Sequence, residues 1–188
     1  MTYNPDIHHR RSIRLQAYDY SQEGMYFITI CCQGMVCRFG KIKDGEMILN
    51  DYGQIAHNEW EKLPERYPNV LSDIFQIMPN HIHAIIEIVG ATLAVAQNDT
   101  DTQNNGATAR VAPTKNTIGN IVGAYKSLVT NKCLGICKIR NVYLGKLWQR
   151  NYYEHIIRNT KSYQEISNYI ITNPINWEKD MFYCQEEN

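Results

Sequence analysis

The sequence lacks net charge, long apolar runs and a second pair of closely spaced cysteines. Its 19 basic and 19 acidic side chains balance, which argues against a generic polycation. No stretch approaches the roughly 20 apolar residues of a membrane span. The first fifteen residues contain no apolar core of a signal peptide. We therefore expect a cytosolic protein without a membrane partner.

The six cysteines are expected to be reduced thiols. Cys31 and Cys32 are neighbours in a strand-like run and cannot sensibly bridge each other. Cys133 and Cys137 have a spacing that could serve zinc, but no further pair stands at a suitable distance. The cysteine pattern therefore favours neither a disulfide framework nor a zinc knuckle.

The charge that is present is unevenly distributed along the chain. From Asp44 to Asp101 ten acidic residues stand against two basic ones, whereas from Arg110 to Lys161 ten basic residues stand against one acidic residue. A local excess of basic side chains can face a polyanion. The second stretch could therefore face a polyanion.

The order of the predicted elements indicates one α+β domain over residues 1–188, with a mobile, core-poor insert at 91–116. Strands and helices follow one another without regular βαβ alternation. We predict a ferredoxin-like (RRM-like) antiparallel sheet with helices packed on one face. The predicted elements are a strand over Tyr26–Cys32, a helix over Gln54–Leu63 that Pro64 and Pro68 end, a hairpin around Pro79-Asn80, a helix over Ile118–Cys133, and a last helix from Ser162 to about Asn173.

Two histidines share one face of an otherwise apolar strand in the stretch MPNHIHAIIEI, residues 78 to 88. Alternate strand residues point the same way, with Cβ atoms about 7 Å apart, so one cation could bridge His81 and His83. A lone histidine there is more often a hydrogen-bonded core residue. The pair beside a turn favours a metal site.

The last predicted helix brings Tyr169 and Asn173 to one face. Ser162 and Glu165 form a Ser-x-x-Glu capping box, which predicts that the helix begins at Ser162. Residues four apart lie one helical turn from each other, so the phenol and the amide could meet one point in space. An ordinary inward stripe of an amphipathic helix is the open alternative.

Four ordered blocks of motifs run along the chain outside the insert. They are His81-Ile82-His83, then Trp148-Gln149-Arg150, then His155-Ile-Ile-Arg158, and last Tyr169-Ile-Ile-Thr-Asn173-Pro174. A further set at the N-terminus comprises Tyr3-Asn-Pro, His9-Arg10-Arg11-Ser12-Ile13-Arg14-Leu15 and Tyr18-Asp-Tyr20. Together they resemble the single-tyrosine HUH transposases, in particular the REP-associated tyrosine transposases.

The resemblance implies an enzyme that cuts and rejoins single-stranded DNA at or near hairpin (palindromic) sequences. Tyr169 would form a 5′-phosphotyrosine intermediate, and His81, His83 and Asn173 would hold Mg²⁺ or Mn²⁺. Many relatives carry Gln where this sequence has Asn173, which leaves ligand reach and metal preference open. A monomer is favoured over a homodimer, in the bacterial cytoplasm and associated with the nucleoid when DNA-bound.

Further side chains are expected to contact DNA, because arginine pairs with phosphate through two hydrogen bonds and aromatic rings stack on unpaired bases. A solvated N-terminal tail and core packing of Trp148 are the alternatives, and Tyr153 is the second candidate nucleophile. The predicted DNA-binding residues are His9, Arg10, Arg11, Arg14, Lys126, Trp148, Arg150 and Arg158.

Two other functions stay open from the sequence. The same sheet could recognise structured nucleic acid without cutting it, as a module recruited from a mobile element. A nuclease that uses water would share the histidines and the metal but would not need the phenol.

Overall fold

Strands and helices alternate irregularly along residues 19–90 and 117–184, the part of the chain that the computed structural model describes. In chain order the elements are β1 (Gly24–Cys31), β2 (Gly40–Lys43), β3 (Glu46–Leu49), α1 (Asp51–Glu61), α2 (Leu63–Arg66), β4 (Val70–Ile77), β5 (His81–Ile88), α3 (Ile118–Arg140), β6 (Tyr153–Ile157) and α4 (Thr160–Thr172). The N-terminal basic residues His9, Arg10, Arg11 and Arg14 and the expected insert at 91–116 lie outside the described residues.

Four strands form the main sheet in the order β4-β5-β1-β6, and every neighbouring pair is antiparallel. Along the chain, α1 and α2 lie between β1 and β4, and α3 lies between β5 and β6. This order is that of a ferredoxin-like sheet, so the predicted α+β fold is confirmed. Strands β2 and β3 form a separate hairpin whose two-residue turn is Asp44-Gly45, a sequence that suits the left-handed backbone found there.

The two faces of the sheet bury different side chains, because strand residues alternate between faces. Tyr26, Ile28 and Ile30 of β1 belong to the main core beneath α1 and α3. There Trp60 of α1 meets Tyr125 of α3 edge to face, with ring centroids 5.0 Å apart. This is the helix-covered face that the sequence predicts.

The opposite face of the sheet carries α4. Buried Ile170 of this helix packs with Ile85 of β5 and Ile157 of β6 in a smaller apolar cluster. The histidines of β5 occupy the same face, because they alternate with the residues that point to the main core. Packing of α4 therefore decides what stands opposite the histidine pair.

The structure corrects three local predictions. Pro64 does not end a helix: α1 ends at Glu61, and Pro64 lies in the first turn of α2, where its missing N–H costs nothing. Helix α4 is capped by the side chain of Asn159, which accepts from the Ser162 amide, so Ser162 is not the cap. Cysteines Cys37 and Cys184 form a disulfide, whereas reduced thiols were expected, and the other four cysteines are free thiols as expected.

No helix in the described parts of the chain combines the length and the apolar composition that crossing a membrane would require. Helix α3, with 23 residues, carries four basic side chains, as its sequence shows. It is buried along one stripe only, against α1 and the sheet.

Candidate metal centre and nucleophile

Two imidazoles project side by side from β5. His81 and His83 are almost completely buried, at 0% and 1% exposure, and their ring centroids lie 4.3 Å apart. Between them Ile82 points to the main core on the other face. The strand alternation predicted from the sequence thus brings both rings into one buried position.

Asn80, the turn residue before β5, sets the tautomer of His81. Its side-chain amide donates to the carbonyls of Met35 at 3.1 Å and Phe182 at 2.8 Å, so its Oδ1 is an acceptor. Nδ1 of His81 lies 2.8 Å from that oxygen and must carry the proton. Nε2 of His81 then has a free lone pair, and burial lowers the pKa of this imidazole to about 3.

Thr29 supports His83 from the neighbouring strand. The two residues are paired across β1 and β5, and the Thr29 hydroxyl lies 2.8 Å from Nδ1 of His83. Burial, and then the nearby His81, lower the pKa of His83 well below its ordinary value, while the Asp180 carboxylate acts in the opposite direction. Both imidazoles are therefore neutral near pH 7, which is the form that binds metal.

Helix α4 ends over the histidine pair. Ile170 anchors its last turn on the sheet, which directs Tyr169 and Asn173 to the site. Oη of Tyr169 lies 3.1 Å from Nε2 of His83, while Asn173 caps the helix and is 2% exposed. The structure thus brings together in one chain the tyrosine, the asparagine and the two histidines singled out from the sequence.

Asp180 is a candidate site residue that the sequence patterns do not indicate. It follows a short 3-10 turn at Trp177–Lys179, and its Oδ2 accepts from Tyr169 Oη at 2.9 Å and from Asn173 Nδ2 at 2.5 Å. Burial, and then this carboxylate, raise the pKa of Tyr169, so the phenol is protonated. The only sequence signal was a carboxylate seven residues beyond Asn173, in a loop without periodicity.

The donor atoms of the site fit a divalent metal ion. In the described structure Nε2 of His81 and Oδ1 of Asn173 are buried without a hydrogen-bond partner, which is costly unless something binds them. His81, His83 and Asp180 each offer one donor atom, and these atoms lie within 4.8 Å of one another. Imidazole nitrogens combined with amide and carboxylate oxygens suit divalent cations such as Mn²⁺.

Aromatic rings enclose the imidazoles. The Phe182 ring lies 4.8 Å from the His81 ring, and Phe27 lies 5.3 Å from His83 and edge-on to Tyr169. Such a shell excludes water and strengthens electrostatic interactions inside the site. On the open side a cavity of about 80 Å³ is lined by Tyr169, Asn173, Asp180, Thr172, Asn176 and Lys179.

Two predicted DNA contacts are engaged within the fold. The Lys126 ammonium donates to the carbonyls of Gln149 at 3.0 Å and Asn151 at 2.9 Å. Trp148 is 6% exposed, donates its indole N–H to the Lys126 carbonyl, and packs against Phe39. Trp148 therefore packs in the core, which was the alternative that the sequence left open. Lys126 holds the loop that leads into β6.

The remaining described candidates are exposed beside β6. Arg150 precedes this strand and Arg158 follows it. Tyr153, the second candidate nucleophile, is 51% exposed, and its ring lies 6.5 Å from that of Phe182. Unlike Trp148, which is buried in the main core, these three side chains are exposed at the surface.

Two proteins of Haemophilus influenzae are similar to this chain in sequence. No family model matches the chain. A Haemophilus influenzae protein described as uncharacterized is 46% identical over 186 residues, covering 96% of this chain and 97% of that protein. A second H. influenzae protein, whose name assigns it provisionally to the REP-associated tyrosine transposases, is 25% identical over 158 residues, covering 84% of this chain and 73% of its own.

A solved structure, of a REP-associated tyrosine transposase bound to a REP hairpin, has a similar fold. Its TM-score is 0.54 at 20% identity, and the match covers 87% of this chain and 73% of that one. At this identity the likeness concerns the fold. The second H. influenzae relative carries the name of the group that the motifs resemble, which confirms that resemblance.

Proposed function

We propose that this chain, which belongs to the same family as the uncharacterized H. influenzae protein, is a DNA strand transferase of the REP-associated tyrosine transposase type. It cuts single-stranded DNA at or near hairpin (palindromic) sequences and rejoins it through a 5′-phosphotyrosine. The observation that carries the proposal is the approach of the Tyr169 phenol to the histidine pair within one chain.

Tyr169 supplies the attacking oxygen. Its Oη bonds to phosphorus, the bond from phosphorus to the 3′ oxygen breaks, the phenol loses its proton, and the departing 3′ oxygen takes up a proton. The phosphotyrosine diester conserves the energy of the cleaved bond, so a 3′-hydroxyl can attack it and restore the DNA without ATP. The raised pKa of the phenol means that it carries its proton before the attack, so this proton must be removed for the phosphotyrosine to form.

His81, His83 and Asn173 would hold Mg²⁺ or Mn²⁺. When bound, the ion supplies a Lewis acid that neutralises charge developing on the phosphate oxygens. Asn80 and Thr29 orient the two imidazoles for this task. The outer hydrogen bond of a metal-binding histidine fixes its ring and its lone pair in the same way in other proteins.

The DNA partner is proposed to enter from the open side of the site. The 80 Å³ cavity beside Tyr169 includes Lys179, a cation that suits a phosphate. Arg150 and Arg158, both exposed beside β6, would extend the phosphate contacts. The N-terminal residues His9, Arg10, Arg11 and Arg14 are proposed to bind the hairpin backbone. A hairpin partner is supported by the hairpin bound to the structural neighbour.

The test is covalent capture of DNA. The full chain is incubated with Mn²⁺ or Mg²⁺ and single-stranded DNA that contains a hairpin from a palindrome near the gene, labelled at its 3′ end. Because a 5′-phosphotyrosine retains the fragment on the 3′ side, the label should migrate with the protein on a denaturing gel. Tyr169→Phe should abolish this adduct while DNA binding stays within a few-fold.

Tyr153→Phe is the matched control, since it removes the same hydroxyl from the competing tyrosine and should leave the adduct intact. His81→Ala should abolish metal-dependent cleavage. A Tyr169→Phe protein that still cleaves would indicate a nuclease that uses water. A wild-type protein that binds the hairpin without cutting it would indicate a recognition module, and either result contradicts the proposal.

A further inference from the structure

We propose that Asp180 is a ligand of the metal ion and that the Tyr169 phenol competes with the ion for it. The inference deepens the function proposed above and rests on it. Its consequence is that metal uptake releases the nucleophile from a hydrogen-bonded resting position. The two events are thereby coupled in one site.

The first argument is charge. His81, His83 and Asn173 are neutral donors, whereas Mg²⁺ and Mn²⁺ prefer carboxylate oxygens. Asp180 supplies the carboxylate, and its donor atom lies within 4.8 Å of those of both histidines. Among the described residues, this is the one cluster of three or more such side chains with the spacing of a metal site.

The second argument is occupancy of the donor atoms. Oδ2 of Asp180 already accepts hydrogen bonds from the Tyr169 phenol at 2.9 Å and the Asn173 amide at 2.5 Å. The same phenol oxygen lies 3.1 Å from Nε2 of His83. Tyr169 therefore stands at two of the atoms that a cation needs.

The hydrogen-bond directions make the competition explicit. The phenol has one proton, which it donates to Asp180, so it can only accept from an Nε2–H of His83. Nδ1 of His83 then accepts from the Thr29 hydroxyl. A cation needs the lone pair of that same Nε2, so it displaces the phenol from His83 as well as from Asp180.

Coupling of this kind is reciprocal, because the ion weakens the phenol contacts by the factor by which the contacts weaken ion binding. Removal of the phenol hydroxyl should therefore tighten metal binding. A residue that only shaped the site would produce no such gain. The prediction distinguishes competition from simple structural support.

The experiment is Mn²⁺ titration of the full chain without DNA, by calorimetry and by electron paramagnetic resonance of free Mn²⁺. Asp180→Asn should weaken Mn²⁺ binding at least about 10-fold. Tyr169→Phe should tighten it by roughly 2- to 10-fold, the value of one or two hydrogen bonds. In the Asp180→Asn background the gain from Tyr169→Phe should shrink.

Glu178→Gln is the matched control, an exposed carboxylate two residues away, and should bind Mn²⁺ as the wild type does. Asp180→Asn keeps an oxygen that can accept from the Phe182 amide, and thermal unfolding checks that each variant is folded. Unchanged affinity in Asp180→Asn overturns the ligand role. Unchanged or weaker binding in Tyr169→Phe overturns the competition.

These outcomes are separate from those of the covalent-capture test. If the wild type binds Mn²⁺ and both variants behave as expected but no DNA adduct forms, the proposed reaction fails and the inference stands. If the adduct forms and Asp180→Asn binds Mn²⁺ like the wild type, only the inference fails.

Discussion

Without a metal ion, Nδ1 of His83 accepts a hydrogen bond from the Thr29 hydroxyl, and with an ion on Nε2 it would donate one. Thr29 suits both states of His83 because a hydroxyl can donate or accept a hydrogen bond. It is buried on β1 and lies 2.8 Å from Nδ1 of His83. Thr29→Val keeps the shape and removes the hydroxyl. We expect Mn²⁺ affinity to fall about 10- to 100-fold, as it does when outer hydrogen bonds of metal ligands are lost.

Thr29→Ser is the control for this prediction, since it keeps the hydroxyl and should bind Mn²⁺ within a few-fold of wild type. Both variants are measured by calorimetry at the same pH. Equal affinities of the Val and Ser variants would mean that Thr29 does not support the metal site.

At the residue scale the sequence indicates the candidate nucleophile and metal ligands better than it indicates the residues that hydrogen-bond to them. His81 and His83 follow from strand alternation, and Tyr169 with Asn173 from helical spacing. The roles of Asn80 and Asp180 depend on contacts that no local pattern contains. Asn80 donates to a carbonyl 102 residues away, and Asp180 follows an irregular turn.

At the element scale, the start of α4 offers a direct test of the corrected cap. Oδ1 of Asn159 accepts from the amide of Ser162 at 2.8 Å. Asn159→Ala should lower the free energy of unfolding by about 0.5 to 2 kcal/mol. Ser162→Ala, at the cap predicted from the sequence, should cost less. Urea unfolding of both variants decides between the two caps. A larger loss in free energy of unfolding for Ser162→Ala than for Asn159→Ala would show that Ser162 is the cap.

Helices α1 and α3 are joined by a buried carboxylate. Glu59 of α1 is 0% exposed and bonds to Lys132 at 2.5 Å and Arg66 at 2.8 Å. Burial alone would raise the pKa of Glu59, but the hydrogen bonds from Lys132 and Arg66 outweigh it and lower the pKa. The ionised form is therefore the one that the fold stabilises.

Glu59→Gln should reduce the free energy of unfolding at pH 7 by about 1 to 3 kcal/mol, because the charge-assisted hydrogen bonds are lost. Because the folded pKa is lowered, the contribution of Glu59 is complete above its ordinary pKa of 4.5 and is lost as the pH falls through the folded value. The difference between wild type and variant should shrink in acid. Denaturant unfolding from pH 7 to pH 3 measures it, and a constant difference would contradict the assignment.

The element-scale predictions from sequence succeed where the pattern is local. The Pro79-Asn80 hairpin and the strand around Tyr26 follow from alternation and turn residues. The side of the sheet on which α4 packs does not follow from its own amphipathic stripe. It is decided by the apolar residues Ile85 and Ile157, which alternate with core residues on two distant strands.

At the scale of the whole molecule, counting charges along the sequence overstates the basic surface. Lys132 pairs with Glu59, and Arg140 contacts Asp51 of the acidic stretch. Folding thus neutralises part of the basic excess against the acidic one. The basic excess left to face a polyanion is therefore smaller than the sequence total implies.

The same scale decides whether one chain suffices for the reaction. Tyr169 lies 3.1 Å from His83 of its own chain, so the proposed nucleophile and the proposed metal site meet within one chain. We expect a monomer by light scattering, with and without hairpin DNA.

We also expect that a mixture of His81→Ala and Tyr169→Phe proteins forms no covalent DNA adduct, because each copy lacks one part of its own site. Mixing wild type with Tyr169→Phe controls for interference and should give adduct in proportion to the wild type. Adduct recovered from the mixture of the two defective proteins would instead require a tyrosine that acts on the metal site of a partner, and would contradict the expectation of a monomer.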